Sequence, residues 1–316
     1  MIREGMIVLA IETILTLIGK IFLMIAAGFI MKKAGLITDE LQKGLSALLM
    51  NAILPLNLLA SSGQAFSKEL SFNLLLVCAA GILYYVGAIL LSSLISKALK
   101  ATEAEKKVFV SMSVFQNAGF IGIPLTSELF GGEGVLYAVI YNMLFQLFFF
   151  TFGMYRLSNE KKIGLKSLVK SPLILVSLVS IGIYLSPFRL PDFIQGAVKG
   201  IGDMMVPLSM ILIGCSLVGI LPAELLKDRY SYLVSALRLV VFPLITLLLA
   251  KLVGLHGAVG VCCVVLAGLP SGTLNVIVAQ KNECAPEFAA RAAIHGTVFM
   301  AVTLPVLIYA AMVFLK

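Results

Sequence analysis

Apolar residues are grouped in ten long runs that short polar or charged segments separate. A helix needs about 20 apolar residues to cross the hydrocarbon core of a bilayer, and each run has about that length. The pattern therefore predicts an all-α polytopic membrane protein with ten transmembrane spans. These spans are predicted at about Ile7–Met31, Leu41–Ser61, Ser71–Ser96, Val108–Phe130, Gly134–Tyr155, Leu168–Ser186, Gln195–Leu221, Ser231–Leu252, Val259–Ala279 and Pro286–Leu315.

Helix-breaking residues interrupt spans 4 and 9 near their centres. The first break is Gln116-Asn117-Ala118-Gly119-Phe120-Ile121-Gly122-Ile123-Pro124, and the second is Gly268-Leu269-Pro270-Ser271-Gly272-Thr273-Leu274-Asn275. Proline lacks a backbone N–H and fixes its own φ, and glycine leaves the backbone uncovered. The released backbone groups need partners from protein or from a water-filled cavity. Two such breaks in corresponding spans predict the substrate site of a secondary transporter.

The two halves of the chain also share a pattern of polar residues and proline. Asn51, Pro55-Leu56 and Asn57 of span 2 align with Asp203, Pro207-Leu208 and Ser209 of span 7 at an offset of 152 residues. The two breaks have nearly the same offset. Five spans in each half give the halves opposite orientations in the membrane, which predicts a 5+5 inverted repeat. We assign residues 1–155 to the first repeat, 156–170 to a basic cytoplasmic linker and 171–316 to the second repeat.

Composition and charge agree with a membrane protein and indicate its orientation. Of the 316 residues, 60% are hydrophobic and 13% are charged, whereas soluble domains have about 25% charged residues. Sixteen lysines and arginines fall in the loops on one side of the predicted spans and six on the other. The richer side is expected to be cytoplasmic, which places both termini outside the cell membrane. These loops account for the net charge of +8, so we expect no nucleic-acid partner.

Residues that catalyse reactions or bind metal ions are sparse. The five cysteines lie mostly in apolar runs without metal-ligand spacing, and the two histidines are isolated. No sequence motif of a known catalytic site is present. We therefore expect neither an enzyme nor a cofactor or metal. The alternative function is a channel or a membrane sensor built on a carrier-like fold, although a channel is expected to show a ring of like polar groups.

Polar side chains beside the breaks are the candidate binding residues. Asn117 and Asn275 carry amides that both donate and accept hydrogen bonds, and the half-helix N-termini beside them attract anions. These asparagines either bind a carboxylate in addition to capping the broken helices, or only cap them. Ser271 and Thr273 either line the same cavity or bond back to their own helix.

Ionisable residues within the predicted spans are candidates for charge recognition and for ion coupling. Arg238 either extends its side chain to the interface or faces the interior and attracts an anion. Asp203, His295 and Glu128 are candidate proton sites, but Asp203 is equally suited to an interfacial helix start and His295 to packing. Lys20 lies either at the centre of span 1 or at its interface. A sodium site formed by released backbone carbonyls is a further alternative.

Several of these motifs resemble the auxin efflux carrier family, which includes the plant PIN auxin carriers and bacterial organic-acid permeases. The resemblance rests on Phe115 to Leu125 with Leu129-Phe130-Gly131, on Gly268-Leu269-Pro270-Ser271-Gly272, on Thr303-Leu304-Pro305, and on Ala26-Ala27-Gly28-Phe29-Ile30 before Lys32-Lys33. It implies that helices 4 and 9 cross at their breaks beside a scaffold of helices 1, 2, 6 and 7, through which two copies dimerise. It also implies that Pro124 and Pro270 are the crossing prolines and that Asn117 and Asn275 are the paired asparagines.

The residues and the resemblance together predict a secondary active transporter of small organic anions, such as malate, malonate or auxin-like acids. We expect elevator-type alternating access, in which helices 3–5 and 8–10 move past the scaffold. The expected partners are the anion, membrane lipid and a second copy of the chain, with a proton or sodium as the candidate coupling ion. The predicted substrate-binding residues are Asn117, Asn275, Gln116, Gly119, Pro124, Pro270, Ser271, Thr273 and Arg238.

Overall fold

The computed structural model describes residues 2–63, 66–157, 172–218 and 228–315, and within them the regular structure is helical apart from one isolated β-bridge. The helices of these residues are numbered here in chain order. They are α1 Ile2–Lys33, α2 Asp39–Ser61, α3 Lys68–Ala98, α4 Glu103–Val114, α5 Ala118–Leu157, α6 Pro172–Leu185, α7 Asp192–Ser216, α8 Arg229–Leu252, α9 Gly257–Ala267, α10 Thr273–Lys281 and α11 Pro286–Phe314.

Six of the described helices are long and apolar enough to cross a membrane: α2, α3, α5, α7, α8 and α11. Large apolar side chains such as Leu23, Leu83 and Val302 are exposed on their helices, as expected where lipid replaces water. The chain is therefore a polytopic membrane protein. Helix α4 has 12 residues and α9 has 11, which gives each a length of about 17 Å, or half a bilayer.

Three helices each contain a widened turn shortly before a proline. A proline cannot donate to the carbonyl four residues earlier, and its ring collides with that carbonyl. A π-turn, closed by a bond from residue i to residue i−5, adds one residue and relieves the collision. These turns are Leu49–Ile53 before Pro55 in α2, Ala118–Gly122 before Pro124 in α5 and Leu237–Val241 before Pro243 in α8.

The helices α1, α2, α6 and α7 pack against one another and are called here the four-helix group. A Cβ atom at Gly28 of α1 would lie 2.1 Å from the carbonyl oxygen of Ile211, and Gly214 of α7 approaches α1 as closely. Asn57 Nδ2 donates to the carbonyl of Gly202 over 3.1 Å and joins α2 to α7. Small residues at a helix interface permit this close approach, which explains Gly28 in its Ala-Ala-Gly sequence.

The remaining helices, α3–α5 and α8–α11, form a second set of contacts and are called the seven-helix group. Its centre is α9, in which every residue from Val259 to Ala267 is buried. A helix that is apolar on all sides belongs in the interior. Helices α5 and α11 of this group also contact α1, α2, α6 and α7, so the two groups share an extended boundary.

Most predicted spans correspond to a described helix, and both interruptions are present. Spans 4 and 5 are joined in α5, but Gly131 has φ 59° and ψ −143°, which is a non-helical conformation. This positive φ favours glycine and marks the expected end of span 4. The predicted linker 156–170 lies outside the described residues from position 158 onward, as does the predicted end of span 7 beyond residue 218.

Candidate functional site

The two breaks lie against each other. Gln116 and Ser271 form an antiparallel β-bridge. On either side of it, the backbone N–H of Asn117 donates to the Pro270 carbonyl and that of Gly272 donates to the Phe115 carbonyl, each over 2.9 Å. Backbone groups that each break releases therefore bind groups of the other break. This is one of the solutions that a chain can use where lipid offers no hydrogen-bond partner.

The C-terminal carbonyls of α4 all have donors. A helix leaves its last four carbonyls without partners in the helix. The Met112 carbonyl accepts from Ser271 Oγ over 2.7 Å. The Phe115 carbonyl, just beyond the helix, accepts from Asn275 Nδ2 over 2.9 Å in addition to the Gly272 N–H. Residues of the second break therefore cap the end of the first half-helix.

Arg238 in the π-turn of α8 supplies the remaining donors. Its side chain is fully buried. None of the ion pairs formed by described residues includes it. The guanidinium donates to the carbonyls of Ser113 (3.2 Å), Val114 (3.0 Å), Ala267 (3.2 Å) and Leu269 (2.8 and 2.9 Å), and to the Tyr84 hydroxyl.

These carbonyls belong to the C-terminal ends of both α4 and α9, or lie just beyond them. Each such end carries the equivalent of about −0.5 elementary charge, so the two ends together balance the single positive charge of the arginine. Of the two alternatives for Arg238 from the sequence, the structure shows the interior orientation. The groups that bind the guanidinium are backbone carbonyls, and the sequence did not identify them.

The N-terminal ends of the half-helices α5 and α10 are open by comparison. Among the described residues, the backbone N–H groups of Ala118, Gly119, Thr273 and Leu274 have no acceptor. Asn117 caps α5, because its Oδ1 accepts from Phe120 N over 3.2 Å, while its Nδ2 donates to no described residue. Asn117 is half-buried and Thr273 is exposed. The negative helix ends at the site thus have donors, whereas the first N–H groups of the positive ends have no acceptor in the part of the chain that the structure describes.

Asn275 and Ser271 are occupied in holding the breaks together. Asn275 is fully buried. Its Oδ1 accepts from Ser111 Oγ over 2.7 Å, and its Nδ2 donates to the Phe115 and Gly272 carbonyls, each over 2.9 Å. In this conformation its carboxamide therefore faces protein. The structure assigns different environments to two asparagines that the sequence treated as a pair.

Gln116 and Asn142 carry buried amide atoms without a partner among the described residues. Gln116 Nε2 donates to the Tyr85 hydroxyl over 2.7 Å, but its Oε1 is unpaired. Asn142 of α5 is 2% exposed, and its Nδ2 is also unpaired. Its Oδ1 lies 3.8 Å from where a Cβ of Gly119 would be. Asn142 is a candidate site residue that the sequence analysis missed, and its only signal was an amide in an apolar span.

The two predicted crossing prolines are both buried at the breaks. Pro124 lies just after the π-turn at the start of α5, within the first turn of regular helix. Pro270 supplies the carbonyl that binds Asn117, and a Cβ on Gly296 of α11 would lie 3.3 Å from the Pro270 Cβ. Because a proline fixes its own φ, each of these two residues constrains the direction of the backbone at its break.

The three candidate coupling residues do not lie together. Asp203 is exposed in a turn within α7 and pairs with Lys199 over 2.7 Å. Glu128 of α5 pairs with Lys20 of α1 over 2.6 Å, so it bridges the two helix groups, and the Lys20 side chain is 58% exposed. His295 of α11 is buried, and its Nδ1 lies 2.7 Å from Ser235 Oγ.

Comparisons with known proteins agree with this architecture. Residues 13–167 and 159–308 match the model of a family described as membrane transport protein. An uncharacterized transporter of Methanothermobacter thermautotrophicus is 24% identical over 298 residues, which cover 93% of this chain and 96% of the relative. An uncharacterized transporter of Methanocaldococcus jannaschii is 24% identical over 276 residues, which cover 83% of this chain and 87% of the relative.

Proposed function

The chain belongs to the membrane transport protein family, and on that basis we propose that it is a secondary active transporter of small organic anions. The observation that carries the proposal is the unequal treatment of the helix ends at the two breaks. Arg238 and side chains of the second break cap the negative ends, while four first-turn N–H groups at the positive ends have no acceptor among the described residues. Open helix N-termini bind anions.

A carboxylate at this site would accept hydrogen bonds from the N–H groups of Ala118 and Gly119 and from Asn117 Nδ2. The N–H groups of Thr273 and Leu274 are suited to the second carboxylate of a dicarboxylate such as malate or malonate. An auxin-like acid would present one carboxylate and an apolar ring. Neutral donors suit a carrier because they select an anion without holding it in a direct ion pair.

We further propose ten spans in a 5+5 inverted repeat, with spans 4 and 9 crossing at their breaks. Helices α4 and the part of α5 up to Gly131 form span 4, and α9 with α10 forms span 9. The four-helix group would be the scaffold, and the seven-helix group would carry the site past it by an elevator motion. The division of helix contacts into these two groups supports this arrangement.

We also propose that two copies dimerise through the four-helix group in the cell membrane, with both termini outside. Exposed apolar side chains on this group, including Phe193, Leu178 and Leu23, support contact with lipid or with a second copy. A cross-link between copies that involves only the seven-helix group would contradict this arrangement.

Counterflow in proteoliposomes tests the proposed function. Labelled malate or malonate would be measured against a panel of unlabelled acids, with the wild type beside Asn117→Ala and Asn282→Ala. Asn282 is the matched control, because the bond that its side chain makes among the described residues stays at the end of α10, to Val278 O over 2.8 Å. We expect saturable counterflow that Asn117→Ala weakens and Asn282→Ala retains.

The same assay separates the alternatives. Flux without saturation or counterflow would indicate a channel. Absence of flux with every acid, from protein shown to be folded and inserted, would favour a sensor or a substrate without a carboxylate. Equal counterflow in wild type and Asn117→Ala would place the substrate away from the first break.

A further inference from the structure

We infer that the Arg238 guanidinium is a built-in cation that takes the place of a coupling sodium ion between the breaks, so that transport proceeds without sodium. The inference rests on the proposed transport function. In transporters with broken helices, unwound carbonyls and half-helix C-termini are the groups that coordinate sodium. The same groups are released here at the ends of α4 and α9, and they are bonded to Arg238.

The oxygen atoms around the guanidinium form a complete cation site. Four backbone carbonyls and one phenolic hydroxyl surround it, two carbonyls from the C-terminal end of α4 and two at or just beyond that of α9, and all the bonds to carbonyls are between 2.8 and 3.2 Å. Hard cations such as sodium prefer oxygen ligands of this kind. The five N–H groups of the guanidinium have acceptors in a fixed planar arrangement. An alkali ion would find these ligands already occupied.

Arg238 is enclosed by the seven-helix group. Its side chain is fully buried, and Tyr84, whose hydroxyl also donates to the Val114 carbonyl over 3.3 Å, lies beside it. Every acceptor belongs to the seven-helix group, so the arginine would move together with the site. The charge that neutralises the negative helix ends would then remain in place in every conformation.

The direct test is the sodium dependence of wild-type counterflow. Sodium would be replaced by potassium or by N-methylglucamine at constant ionic strength. A coupling ion changes the affinity for its co-substrate by about 5–150-fold, whereas we expect less than about twofold change in rate and half-saturation. A fivefold or larger dependence on sodium would overturn the inference.

The second test restores a cation to an empty site. Arg238→Ala would be measured by thermal unfolding and by counterflow with and without guanidinium chloride at millimolar concentration, well below the denaturing range. We expect both stability and flux to fall and to recover with guanidinium, and Arg238→Lys to retain part of each because it keeps the charge. Arg229→Ala is the control, since Arg229 is exposed and its hydrogen-bond partner among the described residues is the neighbouring Tyr230, and guanidinium is expected to have no effect on it.

The two tests separate the inference from the proposed function. If no acid shows counterflow, the transport proposal fails, but unfolding still reports on the cation site. In that case sodium and potassium chloride should give the same wild-type unfolding temperature, and guanidinium should stabilise Arg238→Ala. Specific stabilisation of the wild type by sodium, or a folded Arg238→Ala that guanidinium does not restore, would overturn the inference. If Arg238→Ala does not fold, the wild-type sodium dependence decides.

Discussion

Replacing Asn275 by alanine removes three buried hydrogen bonds, two that join α10 to Ser111 and Phe115 beside the first break and one to Gly272 of its own break. A buried hydrogen bond contributes about 1 kcal/mol to stability, and about 0.6 kcal/mol between helices in a membrane. The expected loss is therefore about 2–3 kcal/mol. The loss of stability is not expected to exceed this range, because two of the carbonyls retain a donor. The Phe115 carbonyl still accepts from the Gly272 N–H, and the Gly272 carbonyl still accepts from the Asn275 N–H. Only Ser111 Oγ loses its acceptor.

The matched substitution is Asn117→Ala, which removes one capping bond from a half-buried side chain. Loss of such a cap costs about 0.5–2 kcal/mol. Thermal unfolding in detergent, together with substrate binding measured below the unfolding temperature, distinguishes the two asparagines. We expect Asn275→Ala to have the larger loss of stability and Asn117→Ala to have the larger loss of affinity.

Two outcomes would refute this reasoning. One is an equal loss of stability in both variants, since the two amides differ in the number of bonds that they make. The other is an Asn275→Ala variant of wild-type stability that no longer binds substrate. That result would mean that the Asn275 amide leaves Ser111 and faces the substrate, as the paired role expected from the sequence requires.

Three further experiments test the packing of α1 against α7, the boundary between the two helix groups and the role of the Asn142 amide. Gly28→Leu should prevent α1 from reaching α7 and abolish folded protein in size-exclusion chromatography, whereas Gly19→Leu, with no atom within 4 Å of the added Cβ, should be tolerated. Cysteines at Lys20 and Glu128, whose side chains now pair across the two helix groups, should be joined by a reducible bifunctional cross-linker that stops counterflow until a reductant is added. Unchanged flux in the linked protein would contradict the elevator motion. Asn142→Leu should keep its unfolding temperature, because the removed Nδ2 has no partner among the described residues, and should weaken substrate binding; a clear loss of stability would show that this amide is structural.

The positions of the breaks were predictable because glycine and proline act locally. Gly119, Gly122 and Pro124 disfavour an ordinary helix whatever surrounds them, and their place within an apolar run fixed their depth in the membrane. The family resemblance drawn from these motifs is confirmed by the family match, which also agrees with a transporter rather than an enzyme.

The partners of Arg238 and Asn275 were not predictable in the same way. Both side chains bind backbone groups that are more than 25 residues away or in the other half of the chain. A carbonyl is present at every residue, so the sequence carries no sign of which one is released and within reach. The sequence identifies Arg238 as a charged residue in a membrane span. It does not show that α8 packs beside both breaks, and the carbonyls that Arg238 binds depend on that packing.

Arg238 is separate from the helix N-termini proposed to bind the substrate, and this affects how readily a bound anion would dissociate. An arginine exposed in the binding site would form a direct ion pair with a carboxylate, and in a site with little water such a pair dissociates slowly. Here the guanidinium binds carbonyls at the ends of α4 and α9, so its charge would cancel the negative helix ends without contacting the substrate. The N–H groups at the positive ends can then attract an anion through their dipoles alone. In the proposed transporter, a site of this kind would select for negative charge and would still permit release on both sides of the membrane.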